Sequence, residues 1–458
     1  MKMKRCSKMP QKLWVPLAIL ALLCLPLTAF AADNGGGAQT KALTLVDCLK
    51  TGYDNSQDIK KAAKSVDVAW EGVKQAAGGF FPTLKYSLGY EKDSYNTVNY
   101  VPVDKSGTYW TWKEIDSGDQ AFSGALTLSW TLYDGGKLTG NLKVAWLDLD
   151  SAKEDLRSAK QELTYNIKAY FYALWLAEQQ LKVAQASYDN LQQHYEQVKK
   201  QFEVEKKAKY DLLKAEVAWK EEEPTLLSAK NSVKTAKLNL ATAIGLGKQA
   251  DVEISYGDAI LQIPAQPEMN FQSLLDEAYQ QRPEIRQSEQ NIKISKWNRV
   301  IARAGYLPSL TLSGTSSNEG ATSDYKEWDD KTWTLSVGMS GLIFDGPTTL
   351  SKIKEAKLNE QIATIKDTQE RDTVRKDVQS AIQNIQQYYA SVGVNQDNVA
   401  LDQEALRMTQ IKFDAGMATT LDVKDAQLSL DEAGDDYYQE IANYLNALAK
   451  LDYVLGKD

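Results

Sequence analysis

Cysteine is nearly missing from this chain, with three residues, Cys6, Cys24 and Cys48, in a length of 458. Two of them lie in the first 31 residues, and Cys48 alone cannot form an intrachain disulfide, so the fold has to be stable without one. Histidine is scarcer still, with His194 as its single copy. Metal clusters and catalytic triads built on histidine are poorly served by one ring. No glycine-rich phosphate loop, metal-spaced cluster or nucleophile motif compensates. His194 itself falls between Leu191 and Tyr195 on a helical pattern and reads as a solvated helix residue. Positive charge is in deficit, giving a formal net charge of −8. An acidic surface repels phosphate backbones, so no nucleic acid is expected as partner. Beyond residue 31 no run of 18 apolar residues occurs, which excludes a later helical membrane span. Nothing in this composition asks for an enzyme or a cofactor.

The first 31 residues read as a targeting segment. Lys2, Lys4, Arg5, Lys8 and Lys12 form a basic start, Leu13 to Leu27 is apolar apart from two prolines, and Ala29-Phe30-Ala31 supplies a cleavage signal. A membrane anchor is the competing reading, but the run is shorter than the ~20 residues a span needs. A lipid anchor on Cys24 is disfavoured by Leu23, where a small residue belongs. Cleavage before Ala32 removes five positive charges and takes the net charge from −8 to −13. Residues 32–42 then form a flexible N-terminal segment.

The chain is written twice. "GFFPTLKYSLG" (79–89) returns as "GYLPSLTLSG" (305–314), with Pro82 and Pro308, Ile59 and Ile285, and Tyr53 and Tyr279 all 226 apart. "LYDGG" (132–136) returns as "IFDGP" (343–347) at a spacing of 211, which also relates Phe202 to Phe413, Asp211 to Asp422 and Ala215 to Ala426. Between these landmarks the first copy carries 15 extra residues. A tandem duplication follows, repeat 1 over 43–247 and repeat 2 over 269–458, joined by a linker (248–268) with Pro264 and Pro267.

Within each copy the periodicity changes in one order. Residues 45–79 and 271–304 read as helices. Alternating strands follow, at about 82–91 and 122–133 in repeat 1 and about 308–316 and 332–344 in repeat 2. Leu126, Leu128 and Trp130 alternate with Thr127 and Ser129, and Trp333, Leu335 and Val337 with Thr334 and Ser336, giving one apolar and one small-polar face. The connections 92–121 and 317–331 read as polar loops. After each Asp-Gly a very long helical hairpin begins. Its apolar positions step by three and four from Leu142 to Phe202, with one stutter after Leu163, as in a left-handed coiled coil roughly 90 Å long. In the second copy Asn395, Asp402 and Thr409 are polar seam positions, either a wet edge or a surface on an aqueous lumen. The fold class is therefore α+β, mainly α.

Four strands cannot close a barrel, and an open edge in lipid is prohibitively costly. With a cleaved signal, the outer membrane is the natural destination, apolar faces to lipid and Thr/Ser/Gly faces to water. Closure then requires several chains. A soluble sandwich edge on a coiled coil is the competing reading. The repeat, the two P-x-L strand starts, the two Asp-Gly junctions, and "FDAGMATTLDVKDAQLSL" with its weaker copy "FEVEKKAKYDLLKAEVAW" are what this sequence shares with a known family. It resembles the outer-membrane efflux proteins, the TolC-like family, over essentially the whole mature chain. The resemblance implies a homotrimer in the lipid bilayer of the outer membrane, with a twelve-stranded β-barrel continued by an α-helical tunnel into the periplasm. It further implies a channel of a tripartite efflux or secretion system, joined to a periplasmic adaptor protein and an inner-membrane pump. A structural coiled-coil envelope protein without a pore is the alternative.

"FDAGMATTLDVKDAQ" (413–427) marks the place of interest. Gly416 lets the chain reverse between two long helices, and Thr419 or Thr420 caps the next one. Asp422 and Asp425 then share a helical face in its first turn, where they complement the helix dipole. The resemblance implies instead that these two, with Asp211 of the first copy, ring a constricted periplasmic entrance. It places helix-tip turns and adaptor docking at Glu205, Lys206, Lys207, Gly416, Met417 and Ala418. This chain departs from the family pattern here. Glu205 stands opposite Gly416, Ala418 stands where some relatives have an arginine, and Phe413 replaces a tyrosine. Asp211 is expected to find Lys207 or Lys209, and Pro224 and Gly434 to kink or loosen the returning helices.

Overall fold

Each copy opens with two helices where the apolar pattern reads as one. Thr44 and Asp47 form a capping box that starts α1 (Leu45–Asn55). Ser56 then turns extended, and its hydroxyl accepts from the Ile59 N–H to start α2 (Gln57–Gly78). After residue 78 the chain runs through β1 (Thr83–Lys92), β2 (Val98–Ser106), β3 (Tyr109–Asp116), β4 (Gln120–Tyr133), α3 (Lys137–Glu203) and α4 (Lys209–Ala243). The second copy runs α5 (Phe271–Gln281), α6 (Pro283–Ala304), β5 (Ser309–Ala321), β6 (Lys331–Ser340), α7 (Thr348–Asp414) and α8 (Thr420–Val454). Here the break falls at Arg282, held extended because Pro283 follows it. The expected single helices 45–79 and 271–304 are therefore each a pair. This architecture comes from a computed structural model, which describes residues 42–92, 98–106, 109–116, 120–247, 253–256, 264–321 and 331–457. The expected signal peptide (1–31), all but Ala42 of the segment 32–42, and most of the linker 248–268 lie outside the described residues.

Helix lengths match across the copies: 11 residues in α1 and α5, 22 in α2 and α6, 67 in α3 and α7, and 35 in α4 and α8. The extra length of the first copy is β2 paired with β3 as a separate antiparallel hairpin, in the stretch expected to be loop.

The other strands form one antiparallel sheet in the order β1-β4-β5-β6. Its register sorts the side chains by chemistry. Leu84, Leu128, Gly314 and Leu335 form one cross-strand row, and Tyr86, Leu126, Ser316 and Trp333 the next. On the opposite face Thr83, Ser129, Ser313 and Ser336 align, as do Lys85, Thr127, Thr315 and Thr334. Hydroxyls pair along that face, Ser313 with Ser336 at 2.7 Å and Ser317 with Thr332 at 2.9 Å. The apolar face has no protein against it: Trp333 is 80% and Leu335 63% exposed. β4 and β5 start or end several residues beyond the expected bounds, and β6 stops at Ser340 rather than 344.

The Asp-Gly pairs turn strand into helix. Asp134 accepts from the Leu138 N–H at 2.8 Å, and Asp345 from the Thr349 N–H at 3.0 Å, so each carboxylate satisfies an orphan donor of a 67-residue helix. Gly135 and Gly346 take φ of +71° and +66°, which only glycine adopts without strain.

The helices stand side by side as a wall, each long one flanked by a stacked pair: α7, then α6 with α8, then α3, then α2 with α4. At 1.5 Å per residue α3 and α7 are each roughly 100 Å long. The main core lies midway along them, where Ile167, Phe171 and Trp175 meet Tyr444, Val374 and Ile385. α4 and α8 run on through Pro224 and Gly434. Gly434 faces Val183, and an added Cβ would lie 3.4 Å from it, an ordinary van der Waals contact. Among the described residues no helix is long and apolar enough to cross a membrane.

Candidate functional site

The far ends of the two long hairpins come together, and both reverse by the same hydrogen bonds. After α3 the Glu205 N–H donates to Phe202 O and the Lys206 N–H to Gln201 O. After α7 the Gly416 N–H donates to Phe413 O and the Met417 N–H to Lys412 O. This closing pattern needs a left-handed residue. Gly416 takes it at φ +75°, and Glu205 at φ +59° is the one non-glycine with positive φ among the described residues. Glu205, Lys206, Gly416 and Met417 are exposed, whereas Lys207 and Ala418 are partly covered.

The aspartates just past the turns have different duties. Thr419, not Thr420, caps α8: its hydroxyl accepts from the Asp422 N–H at 3.2 Å, and Asp422 Oδ2 accepts from the Thr419 N–H at 2.7 Å. The backbone bond from Thr419, then its hydroxyl, hold the Asp422 carboxyl below the usual carboxylate range. In the first copy Ala208 occupies the cap position and offers no hydroxyl. Asp211 is left without that partner and, contrary to expectation, forms no ion pair with Lys207 or Lys209 among the described residues. Asp425 is exposed, one turn further along α8.

What joins the two tips is a set of residues that heptad reading passes over. Phe413, 1% exposed, lies in a small core with Val198, Ala215 and Val423. His194 packs on it with ring centroids 4.6 Å apart, and the Lys207 ammonium sits 4.3 Å from the Phe413 centroid. Gln197 donates to Asp414 at 2.5 Å. His194 was expected to be solvated, yet it is 3% exposed. Burial, and then Lys207, push its ring down to about 4, against the opposing pull of Asp414.

Between the hairpins this polar line continues up α3 at heptad spacing. Asn190 donates to Gln427 at 3.2 Å, and Ser187 to Asp431 at 2.6 Å. By contrast the α3–α4 seam is apolar, with Val198 and Ala215 in one cluster and Tyr195 stacked on Trp219. Burial raises the Asp431 carboxyl despite its bonds to Ser187 and Gln427. Asp435 next along is pushed up to about 6 by burial and then by Asp431 and Asp436, and its Oδ1 has no partner. Glu222 of α4 is raised by burial and by Asp431. Asn395, Asp402 and Thr409 on α7 are half-buried. Among the described residues no group of three His, Cys, Asp or Glu is placed to hold a metal.

Comparison with known proteins bears on what such a molecule does. A family model described as outer membrane efflux protein matches residues 51–246 and 274–457. The outer membrane efflux protein BepC of Brucella suis is 22% identical over 411 residues, covering 89% of this chain and 85% of that protein. The outer membrane protein TolC of Vibrio cholerae is 24% identical over 447 residues, covering 94% and 95%. A solved structure of CusC superposes with a TM-score of 0.75 at 20% identity, covering 90% of this chain and 92% of that one, a likeness of fold.

Proposed function

Because the chain belongs to the outer membrane efflux protein family, whose members are outer-membrane channels rather than enzymes, we propose that it works as a homotrimer. In that assembly a twelve-stranded barrel opens into a twelve-helix tunnel reaching into the periplasm. The observation that carries this reading is the pair of free sheet edges. β1 and β6 flank the sheet, and successive antiparallel pairings leave them running in opposite directions. β6 of one copy can therefore pair with β1 of the next in a head-to-tail contact that closes after a whole number of copies. Strands of 10 to 14 residues suit a tilted crossing of the bilayer. The wall has free edges in the same sense. Val394, Leu401 and Met408, seven apart, are exposed on α7, and Tyr210, Leu213 and Val217 on α4, at the opposite edge. Two such stripes make a coiled-coil contact between copies.

In this assembly the hairpin tips meet at the periplasmic entrance. Asp422, Asp425 and Asp211 bring carboxylates to it, and Glu205, Lys206, Lys207, Gly416, Met417 and Ala418 offer the surface on which a periplasmic adaptor docks. With an inner-membrane pump, the channel completes a tripartite route from periplasm to exterior. The test is outer-membrane fractionation followed by sizing of the detergent-extracted protein and conductance in planar bilayers. A stable trimer that conducts is expected. A folded monomer that keeps its strands in a bilayer would sink the assembly.

A further inference from the structure

His194 is the single histidine of the chain, almost wholly buried, and neither of its ring nitrogens has a protein hydrogen-bond partner among the described residues. Buried polar atoms are normally satisfied, so a buried ring without a protein partner is held in place by packing. What it packs against is Phe413, at the tip of the other hairpin. Beyond the small apolar core of Phe413, Val198, Ala215 and Val423, the interface between hairpins is polar along α3: Gln197 with Asp414, Asn190 with Gln427, Ser187 with Asp431. Polar residues at such seam positions weaken a helical interface relative to apolar ones. Phe413 is thus the apolar anchor of the second tip, and His194 and Lys207 are two of the groups that clasp it.

We propose that His194 is a proton-operated latch between the two hairpins, holding the tip of the second against the first while neutral and releasing it when protonated. The inference rests on the channel reading and adds a regulator to its entrance. The proton comes from water and needs no partner reaction. An imidazolium formed here has no acceptor in contact among the described residues and gains a like charge nearby in Lys207. Charged groups come from each of the packed elements, Glu196 and Lys199 of α3 and Lys412 of α7 among them. Lys207 comes from the first turn and Asp414 from the end of α7, where it already accepts from Gln197. On α8, Asp422 is held in its cap, Lys424 pairs with Glu221 at 2.6 Å, and Asp431 is bonded to Ser187. On α4, the carboxylates are Asp211, Glu216, Glu221, Glu222 and Glu223. Burial and Lys207 outweigh Asp414, so the neutral ring is the form the closed contact favours.

The test uses the untagged full-length protein, so that the histidine signal comes from one residue. In planar bilayers, conductance should rise several-fold as the periplasmic-side pH falls from about 7.5 to about 4.5, the range in which a displaced histidine titrates. H194F, which keeps an aromatic ring on Phe413 but takes no proton, should abolish the rise. Magnetic resonance of labelled histidine in the same detergent-extracted protein should show a midpoint well below that of a free ring. A rise in H194F equal to that of the parent, or a parent that conducts equally across the range, would overturn the latch. A low histidine midpoint without conductance in any variant would sink the channel reading and the latch together.

Discussion

Glu205 pays a conformational penalty that its counterpart Gly416 escapes. A left-handed residue with a Cβ costs roughly 1–2 kcal/mol relative to the right-handed form, and the two turns otherwise close with the same bonds. Glu205→Gly should therefore stabilise the protein by about 1 kcal/mol, less whatever glycine adds to the entropy of the unfolded chain. Thermal unfolding of the detergent-solubilised protein checks this, and a lower midpoint would show that the glutamate makes an interaction the turn geometry does not reveal. Asp435 offers the opposite case, a carboxyl raised to about 6 by burial and by Asp431 and Asp436. A raised acid disfavours the folded state when ionised, a cost present in full above about 6 and gone below its ordinary value of 3.8. Asp435→Asn should gain about 1 kcal/mol at neutral pH after allowance for solvent screening, and nothing near pH 4. His194 works with the other sign. Its lowered ring lends stability above about 6.5 that is lost as pH falls toward about 4.

Among the elements, the strands carry the sharpest test. Leu128 and Leu335 sit in one row on the unpartnered face, whereas Thr127 and Ser336 point to the hydroxyl-lined side. Arginine at Leu335 or Leu128 should cost roughly 2–4 kcal/mol near mid-membrane, read as loss of assembled trimer. The same change at Ser336 or Thr127 should leave assembly intact and alter conductance. Equal damage on both faces would reverse the lipid and lumen assignment. These faces were legible because a strand's period of two survives any partner. The matched helices were legible from the two repeat offsets. The helix breaks were not, although Ser56 and the Arg282-Pro283 pair were signals, because the apolar rhythm continues across both. The β2–β3 hairpin hid behind its polar composition. His194 was misread because a heptad names one partner for a helix, and α3 has neighbours on both sides. Tyr188 and Tyr195 face Trp219 of the first seam, while Ser187 and His194, one position before each, serve the second.

At the scale of the whole molecule, three copies would gather six carboxylates from Asp422 and Asp425 at the narrow end, concentrating the field there. Trivalent cations added on the periplasmic side should block conductance. Asn at both positions should weaken the block and the cation selectivity while trimers still form, since both residues lie off the apolar seams and Asn retains most of the Thr419 cap. A double variant blocked as tightly as the parent would leave these residues as helix-start groups only. The matched helix lengths of the two copies have a consequence for ancestry. Each half holds two strands of the main sheet, one long helix and the shorter helices that flank it, so six copies of a single half-length ancestor would have enclosed the same ring before the gene doubled. Fusion then freed the halves to diverge, one tip becoming charged at 203–207 and the other uncharged at 415–418. If that history still governs the fold, the two halves made as separate polypeptides in one cell should find each other and rebuild a conducting pore.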